Sequence, residues 1–158
     1  MLEQARQRLA KYGPRATTVE ADLQATTWKD RLGEPFDAIV SGFAIHHLPT
    51  ERKQALYAEI FGLLVPGGLF VQIEHVASAT PTGEKLFDKL YVDSLAAHNG
   101  RPREQVEAEY LTRPDRADNK LESVERQLGW LREIGYGEVD CFFKWMELAV
   151  FAAQRPKS

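Results

Sequence analysis

Cys141 is the only cysteine in the chain, so no disulfide can form within it. A lone thiol fits a reducing, cytoplasmic setting. Basic runs are also missing. The formal net charge is -3, and without a basic patch the backbone-neutralising mode of nucleic-acid binding has no footing. Long apolar runs are absent too. The longest, "FGLLVPGGLFVQI", is interrupted by Pro66, Gly67 and Gly68, well short of the ~18 residues that cross a bilayer. The first residues, "MLEQARQRLAKYG", are charged and lack the apolar core of a signal peptide. No G-x-G-x-x-G follows a strand pattern, and no tyrosine is followed four residues later by lysine, which counts against a nicotinamide oxidoreductase. Nucleic-acid and membrane partners are therefore not expected.

What is present is an ordinary globular composition, 44% hydrophobic and 27% charged over 158 residues. That is enough for a single domain over residues 1–158, with a core that buries roughly 70% of the unfolded surface. Leu2, Ala5, Leu9 and Tyr12 are spaced as one helix face, closed by Gly13-Pro14. "ATTVEADL" is rich in Thr and Val and predicts a short strand. "FDAIVSGF" predicts a second, with the near-continuous apolar middle of a strand buried on both faces. Thr50 is placed to cap a helix that buries Leu56, Tyr57, Ile60, Leu63 and Leu64. "VPGG" ends that helix and "LFVQIEHV" follows as a strand.

Residues 77–121 break the alternation. They hold a helix with Leu86, Phe87, Leu90, Tyr91 and Leu95 on one side, a second helical stretch "REQVEAEYLT", and the charged "RPDRADNK". This segment predicts a helical insertion or cap on the sheet. Ser123 then caps a helix with Gly135 as its C′ residue. "EVDCFFKW" and "ELAVFAAQ" are joined too tightly for a crossover helix and should pair antiparallel. Alternation of this kind predicts an α/β sheet with helices on both faces and a ligand site beyond the carboxyl ends of the strands. Those ends carry Asp22, Ser41, Gly42, Phe43, Glu74 and His75.

In this order and spacing, five segments resemble the class I S-adenosylmethionine-dependent methyltransferases of small-molecule type. They are "MLEQARQRLA", "VEADL", "FDAIVSGFAIHHLP", "LLVPGGLFVQIEHV" and "LGWLREIGYGEVDCFFKWMELAVFAAQRP". The resemblance implies a Rossmann-like fold, mostly parallel with an antiparallel last strand, and S-adenosylmethionine as cofactor. It implies that Asp22 accepts a bond from the adenine amino group and Leu23 packs near the ring. Ser41, Gly42 and Phe43 would lie under the methionine part. The family's first strand, its Gly-rich loop and the acidic residue after its second strand would precede residue 1. The chain is thus expected to be the C-terminal part of a longer enzyme, or to complete its site across a dimer.

Without the loop and the acid, three or four hydrogen bonds to the cofactor are lost, on the order of 5 kcal/mol. An isolated monomer is expected to bind the cofactor poorly. The strand Phe36–Phe43 would lie bare along its edge, which predicts a homodimer or a strand at Thr17–Asp22 folded over it. His46 and His47 open the turn after a strand, where they pack locally, wall the pocket of a small-molecule acceptor near the transferred methyl group, or serve as a general base. Glu74, His75, Tyr91 and Trp145 are further candidates for that pocket, with His98 and Tyr110 behind them. No catalytic nucleophile is expected, because the cofactor carries the activated methyl. No metal is expected either, since adjacent histidines diverge and no ligand stands at metal spacing. A non-catalytic scaffold that dimerises or binds a partner is the alternative.

Overall fold

The computed structural model describes residues 2–33, 35–114 and 118–157. The chain divides into two compact units, one ending at residue 34 and the other beginning at Pro35. The first unit holds α1 (Leu2–Leu9) and two 3-10 turns, Ala10–Arg15 and Thr26–Lys29, none of which buries a residue. The helical path breaks at Gly13, whose φ of 56° suits glycine, and Pro14 follows. Residues 16–22 form no strand, contrary to the pattern of "ATTVEADL". Thr and Val favour extended chain only where a neighbouring strand takes up the backbone groups, and the first unit contains no strand among its described residues. No strand at Thr17–Asp22 therefore covers the sheet edge.

The second unit carries a four-stranded sheet in the order β1-β2-β4-β3, built from β1 (Phe36–Gly42), β2 (Leu64–His75), β3 (Gly137–Trp145) and β4 (Leu148–Gln154). β1 runs parallel to β2, and β4 lies antiparallel to both β2 and β3. Three strands thus share one direction and only the last opposes them. The Pro66-Gly67-Gly68 turn does not precede β2 but interrupts it. Phe36 pairs with Leu64 while Ala38 already pairs with Leu69, and Gly67 takes a φ of 84°. The extra residues are accommodated as a bulge.

α2 (Thr50–Leu63) and α5 (Val124–Ile134) pack together over this sheet. Alternation along β2 sends Phe70, Gln72 and Glu74 to the covered face, where each is essentially fully buried. Tyr57, Phe70, Trp130 and Tyr136 form an aromatic core, with ring centroids 5.6 Å apart for Tyr57–Phe70 and 6.3 Å for Phe70–Tyr136. Its polar tips are satisfied. The Tyr57 hydroxyl donates to Gln127 Oε1 at 2.5 Å and the Tyr136 hydroxyl to the Tyr57 carbonyl at 3.0 Å. The opposite face, expected to carry helices as well, leaves Leu69, Ile73 and Val40 exposed, Val40 by 63%.

Capping follows the sequence with one exception. The Ser123 hydroxyl accepts from Arg126 N at 3.3 Å, and Gly135 ends α5 in the left-handed region at φ 109°. Thr50, expected as a cap, is instead the first helical residue after Pro49, and its hydroxyl donates to Glu122 Oε1 at 2.5 Å. The insertion folds into α3 (Pro81–Asn99) and α4 (Arg103–Leu111), which share a small core of Val92, Ala96 and Val106. Residues 115–117 of the charged "RPDRADNK" lie outside the described residues. Among the described residues no helix is long and apolar enough to cross a membrane.

Candidate active site

The ladder between β1 and β2 extends one step past β1, where Phe43 N donates to the Ile73 carbonyl at 2.9 Å. Phe43 takes a φ of 50°, an uncommon conformation for a bulky residue, and its ring is 52% exposed. The chain then enters a 3-10 turn, Ile45–His47. The first amides of such a turn have no partner within it. A carboxylate from the end of β2 takes them. Glu74 Oε2 accepts from Ile45 N at 3.1 Å, from His46 N at 3.0 Å and from Gln72 Nε2 at 2.7 Å. Its other oxygen, Oε1, faces His46 Nδ1 at 2.6 Å and accepts from His75 N at 2.9 Å.

Glu74 is 1% exposed, so it is neither a solvated strand end nor a cavity-lining group. It sits behind the pocket wall and sets His46. Every other group around this carboxylate is a donor, so in a neutral ring Nδ1 carries the proton and Nε2 is the acceptor. The His46 ring lies 3.9 Å from that of His47 and 5.7 Å from that of His75, centroid to centroid.

These three histidines line a cavity of about 320 Å³ together with Phe43, Tyr91 and Tyr110. A second lobe of about 250 Å³ shares His75, Tyr110, Asn119 and Glu147 with the first. The Tyr91 and Tyr110 rings stand 5.1 Å apart, and the Tyr110 hydroxyl donates to Asp88 Oδ1 at 2.7 Å. Glu147 comes from the tight turn between β3 and β4, and its Oε2 is buried with no hydrogen-bond partner. Burial, reinforced by the nearby Asp88 and Glu84 charges, pushes its carboxyl above the usual range.

One stretch of the insertion is pinned beside His46. Lys120 N donates to the His46 carbonyl at 3.0 Å, and the buried Lys53 ammonium donates to the Lys120 carbonyl. Burial lowers the Lys53 ammonium below its usual range, against the opposing pull of Glu122 and Glu74.

Of the residues singled out from sequence, His46, His47, His75, Tyr91 and Phe43 converge on the cavity, and Glu74 underpins them. Ser41 and Gly42 stand at the carboxyl end of β1 beside it in sequence, and nothing lies within 4 Å of where a Gly42 Cβ would be. Trp145, 54% exposed at the end of β3, and the exposed His98 are not among the lining residues. Asp22 and Leu23 belong to the first unit. There Asp22 Oδ1 accepts from Gln24 N at 2.9 Å, a local turn contact that leaves its second oxygen for another donor. Glu147, Asp88 and Asn119 were not legible as site residues. Their only signal is polarity in otherwise apolar or helical surroundings. Among the described residues, no group of three or more His, Cys, Asp and Glu is placed to hold a metal ion.

Comparison with known proteins agrees with this architecture. The family model described as "Methyltransferase domain" matches residues 1–68. The carboxy-S-adenosyl-L-methionine synthase of a Nitratiruptor species is 23% identical over 99% of this chain, which spans 62% of that protein's length. An O-methyltransferase family protein from Burkholderia thailandensis superposes with a TM-score of 0.65 at 16% identity, over 99% of this chain and 41% of its own. The S-adenosylmethionine-dependent methyltransferase SibL gives a TM-score of 0.66 at 20% identity, over 98% of this chain and 40% of its own. The chain thus has the class I methyltransferase fold, and its first 68 residues match the family model described as a methyltransferase domain.

Proposed function

We propose that this chain is a methyltransferase domain that binds S-adenosylmethionine and methylates a small molecule, with His46 as general base. The buried His46–Glu74 pair at the wall of the cavity carries the proposal. His46 Nε2 takes the proton that the acceptor atom sheds as it is methylated. Glu74 holds the ring in one tautomer and offsets the charge that develops on it. Phe43 and the cap helices α3 and α4 position the acceptor and keep water from the reacting atoms.

When bound, S-adenosylmethionine supplies an already activated sulfonium methyl. The residues present fit one wall of its site. The strand end at Ser41–Gly42 is open on the Gly42 side, and the Phe43 ring stands exposed next to it. A second copy of the chain, docked along the edge of β1, is the proposed source of the remaining contacts. β1 ends the sheet and exposes Val40, as an interface strand would.

Calorimetric titration with S-adenosylhomocysteine, at protein concentrations spanning the monomer–dimer transition, tests this reading. Micromolar binding that tracks the dimer supports it. No binding up to millimolar ligand would leave the alternative, a non-catalytic scaffold that pairs through the same edge.

A further inference from the structure

We infer that the cavity takes a planar aromatic ring bearing a hydroxyl, with Phe43 as the platform on which that ring stacks and the hydroxyl as the group methylated beside His46. This rests on the methyltransferase reading of the same site and names its acceptor class.

Three non-glycine residues among the described residues have positive φ: Phe43 at 50°, Glu138 at 48° and Met146 at 51°. Two of them have a reason within the sheet. Met146 opens the two-residue turn between β3 and β4, where a positive φ is usual. Glu138 lies where the register between those strands shifts. Phe43 has neither reason. Gly42 precedes it and could turn the chain without steric cost, yet the bulky residue takes the disfavoured conformation. The backbone is fastened on both sides of it. Phe43 N donates to the Ile73 carbonyl at 2.9 Å, and Ile45 N and His46 N donate to the buried Glu74 at 3.1 and 3.0 Å. The clamp that sets His46 therefore fixes Phe43 as well. Backbone strain that its surroundings hold in place at a ligand site is a form of preorganisation. The Phe43 ring is half-exposed and lines the cavity with His46 and His47.

The rest of the wall suits a flat guest. Tyr91 and Tyr110 line the same cavity, with ring centroids 5.1 Å apart. Aromatic rings gain from offset and edge-to-face contacts that a saturated ring does not offer. A cavity of about 320 Å³ stands at the small end of ligand pockets, with room for one or two rings. The base selects the atom. A phenol ionises at about 10, roughly 3–4 units above imidazole, which is within reach of general-base transfer. An aliphatic hydroxyl is a far weaker acid, and a neutral amine already offers its lone pair without a base. A histidine base is therefore of most use to an aromatic hydroxyl. His46 Nε2 takes the O–H proton as the oxygen forms its bond to the methyl carbon and the carbon–sulfur bond breaks, leaving a neutral thioether.

Three compounds of one skeleton separate ring from hydroxyl: 2-naphthol, its saturated counterpart decahydro-2-naphthol, and 2-methoxynaphthalene, which has no proton to donate. Their affinities are measured by ligand-observed NMR on the wild-type chain, on Phe43→Leu and on Phe43→Tyr. The expected result is 2-naphthol about tenfold tighter than each of the others. Its preference over the saturated compound should collapse in Phe43→Leu, which keeps the bulk and loses the aromatic face, and survive in Phe43→Tyr. Its preference over the methoxy compound should persist in both variants. No detectable 2-naphthol binding, equal affinities, or a ring preference that both variants keep or both lose would overturn the inference. So would a Phe43→Leu variant that weakens S-adenosylhomocysteine binding and spares 2-naphthol, because the ring would then serve the cofactor. S-adenosylhomocysteine binding by the wild-type chain is read separately. A 2-naphthol preference without it leaves the aromatic site standing and removes the methyltransferase reading, and the converse removes only this inference.

Discussion

His46 Nδ1 lies 2.6 Å from Glu74 Oε1, and both residues are buried. Five donors converge on the Glu74 carboxylate: the Ile45, His46 and His75 amides, Gln72 Nε2 and His46 Nδ1. Glu74→Gln keeps the shape but introduces an NH₂ into this ring of donors and removes the charge. Hydrogen bonds to a charged group contribute about 1.5–3 kcal/mol each, so the variant should lose about 2–4 kcal/mol of unfolding free energy in a denaturant titration. A loss under ~0.5 kcal/mol would mean that the carboxylate does not hold the turn.

His46→Ala leaves Glu74 with its backbone partners but removes the proposed base. General-base catalysis contributes about 10²–10⁴-fold. With any acceptor found by screening, kcat should fall by about that factor, with a much smaller change in KM. An unchanged kcat would place the proton transfer elsewhere or make it unnecessary.

β1 is one edge of the sheet, and Val40, exposed on the uncovered face, is paired in register with Val71. Charged residues on edge strands oppose association. Val40→Lys should therefore shift sedimentation toward the monomer and weaken S-adenosylhomocysteine binding in parallel. Dissociation without loss of binding would separate the interface from the cofactor site. No change in mass at all would argue against an interface on β1.

The parts of the molecule that were legible in the sequence are those decided locally. Ser123 and Gly135 bracket α5 as their chemistry requires. Only Met146 and Glu147 separate β3 from β4, which permits nothing but an antiparallel pair. "ATTVEADL" failed because strand formation depends on a partner strand that the propensity of Thr and Val does not supply. Glu74 was visible as a polar residue at a strand end. Its role was not, because its donors at Ile45 and His46 lie 29 and 28 residues earlier in the chain. Glu147 looks like an ordinary turn residue until α3 brings Glu84 and Asp88 to the same cavity.

The buried phenols make alkaline stability informative. Burial raises both Tyr57 and Tyr136 above their ordinary value of 10.0. In the unfolded chain they ionise near that value, so above it the folded state holds more protons and stability falls as pH rises. Lys53, lowered by burial, acts in the opposite sense up to its ordinary 10.5, where the unfolded chain still binds the proton that the folded one has lost. Past 10.5 only the tyrosine effect remains. Tyr136→Phe costs the bond to the Tyr57 carbonyl, about 1 kcal/mol at neutral pH. It should also flatten the alkaline decline. Denaturation midpoints across this range that fall equally steeply in the variant would assign the decline to other groups.

Glu147 makes stability on the acid side informative in its turn. Burial, then the Asp88 and Glu84 charges, raise its carboxyl above the ordinary 4.5. Between 4.5 and that raised value the folded state holds a proton that the unfolded chain releases, so stability falls as pH rises, and the full penalty is present above the raised value. Glu147→Gln removes the charge and with it the penalty. The variant should melt higher than the wild type at neutral pH, and the gain should disappear once the pH drops below the ordinary glutamate range. A lower melting temperature at neutral pH would mean that the carboxylate is satisfied in the folded chain.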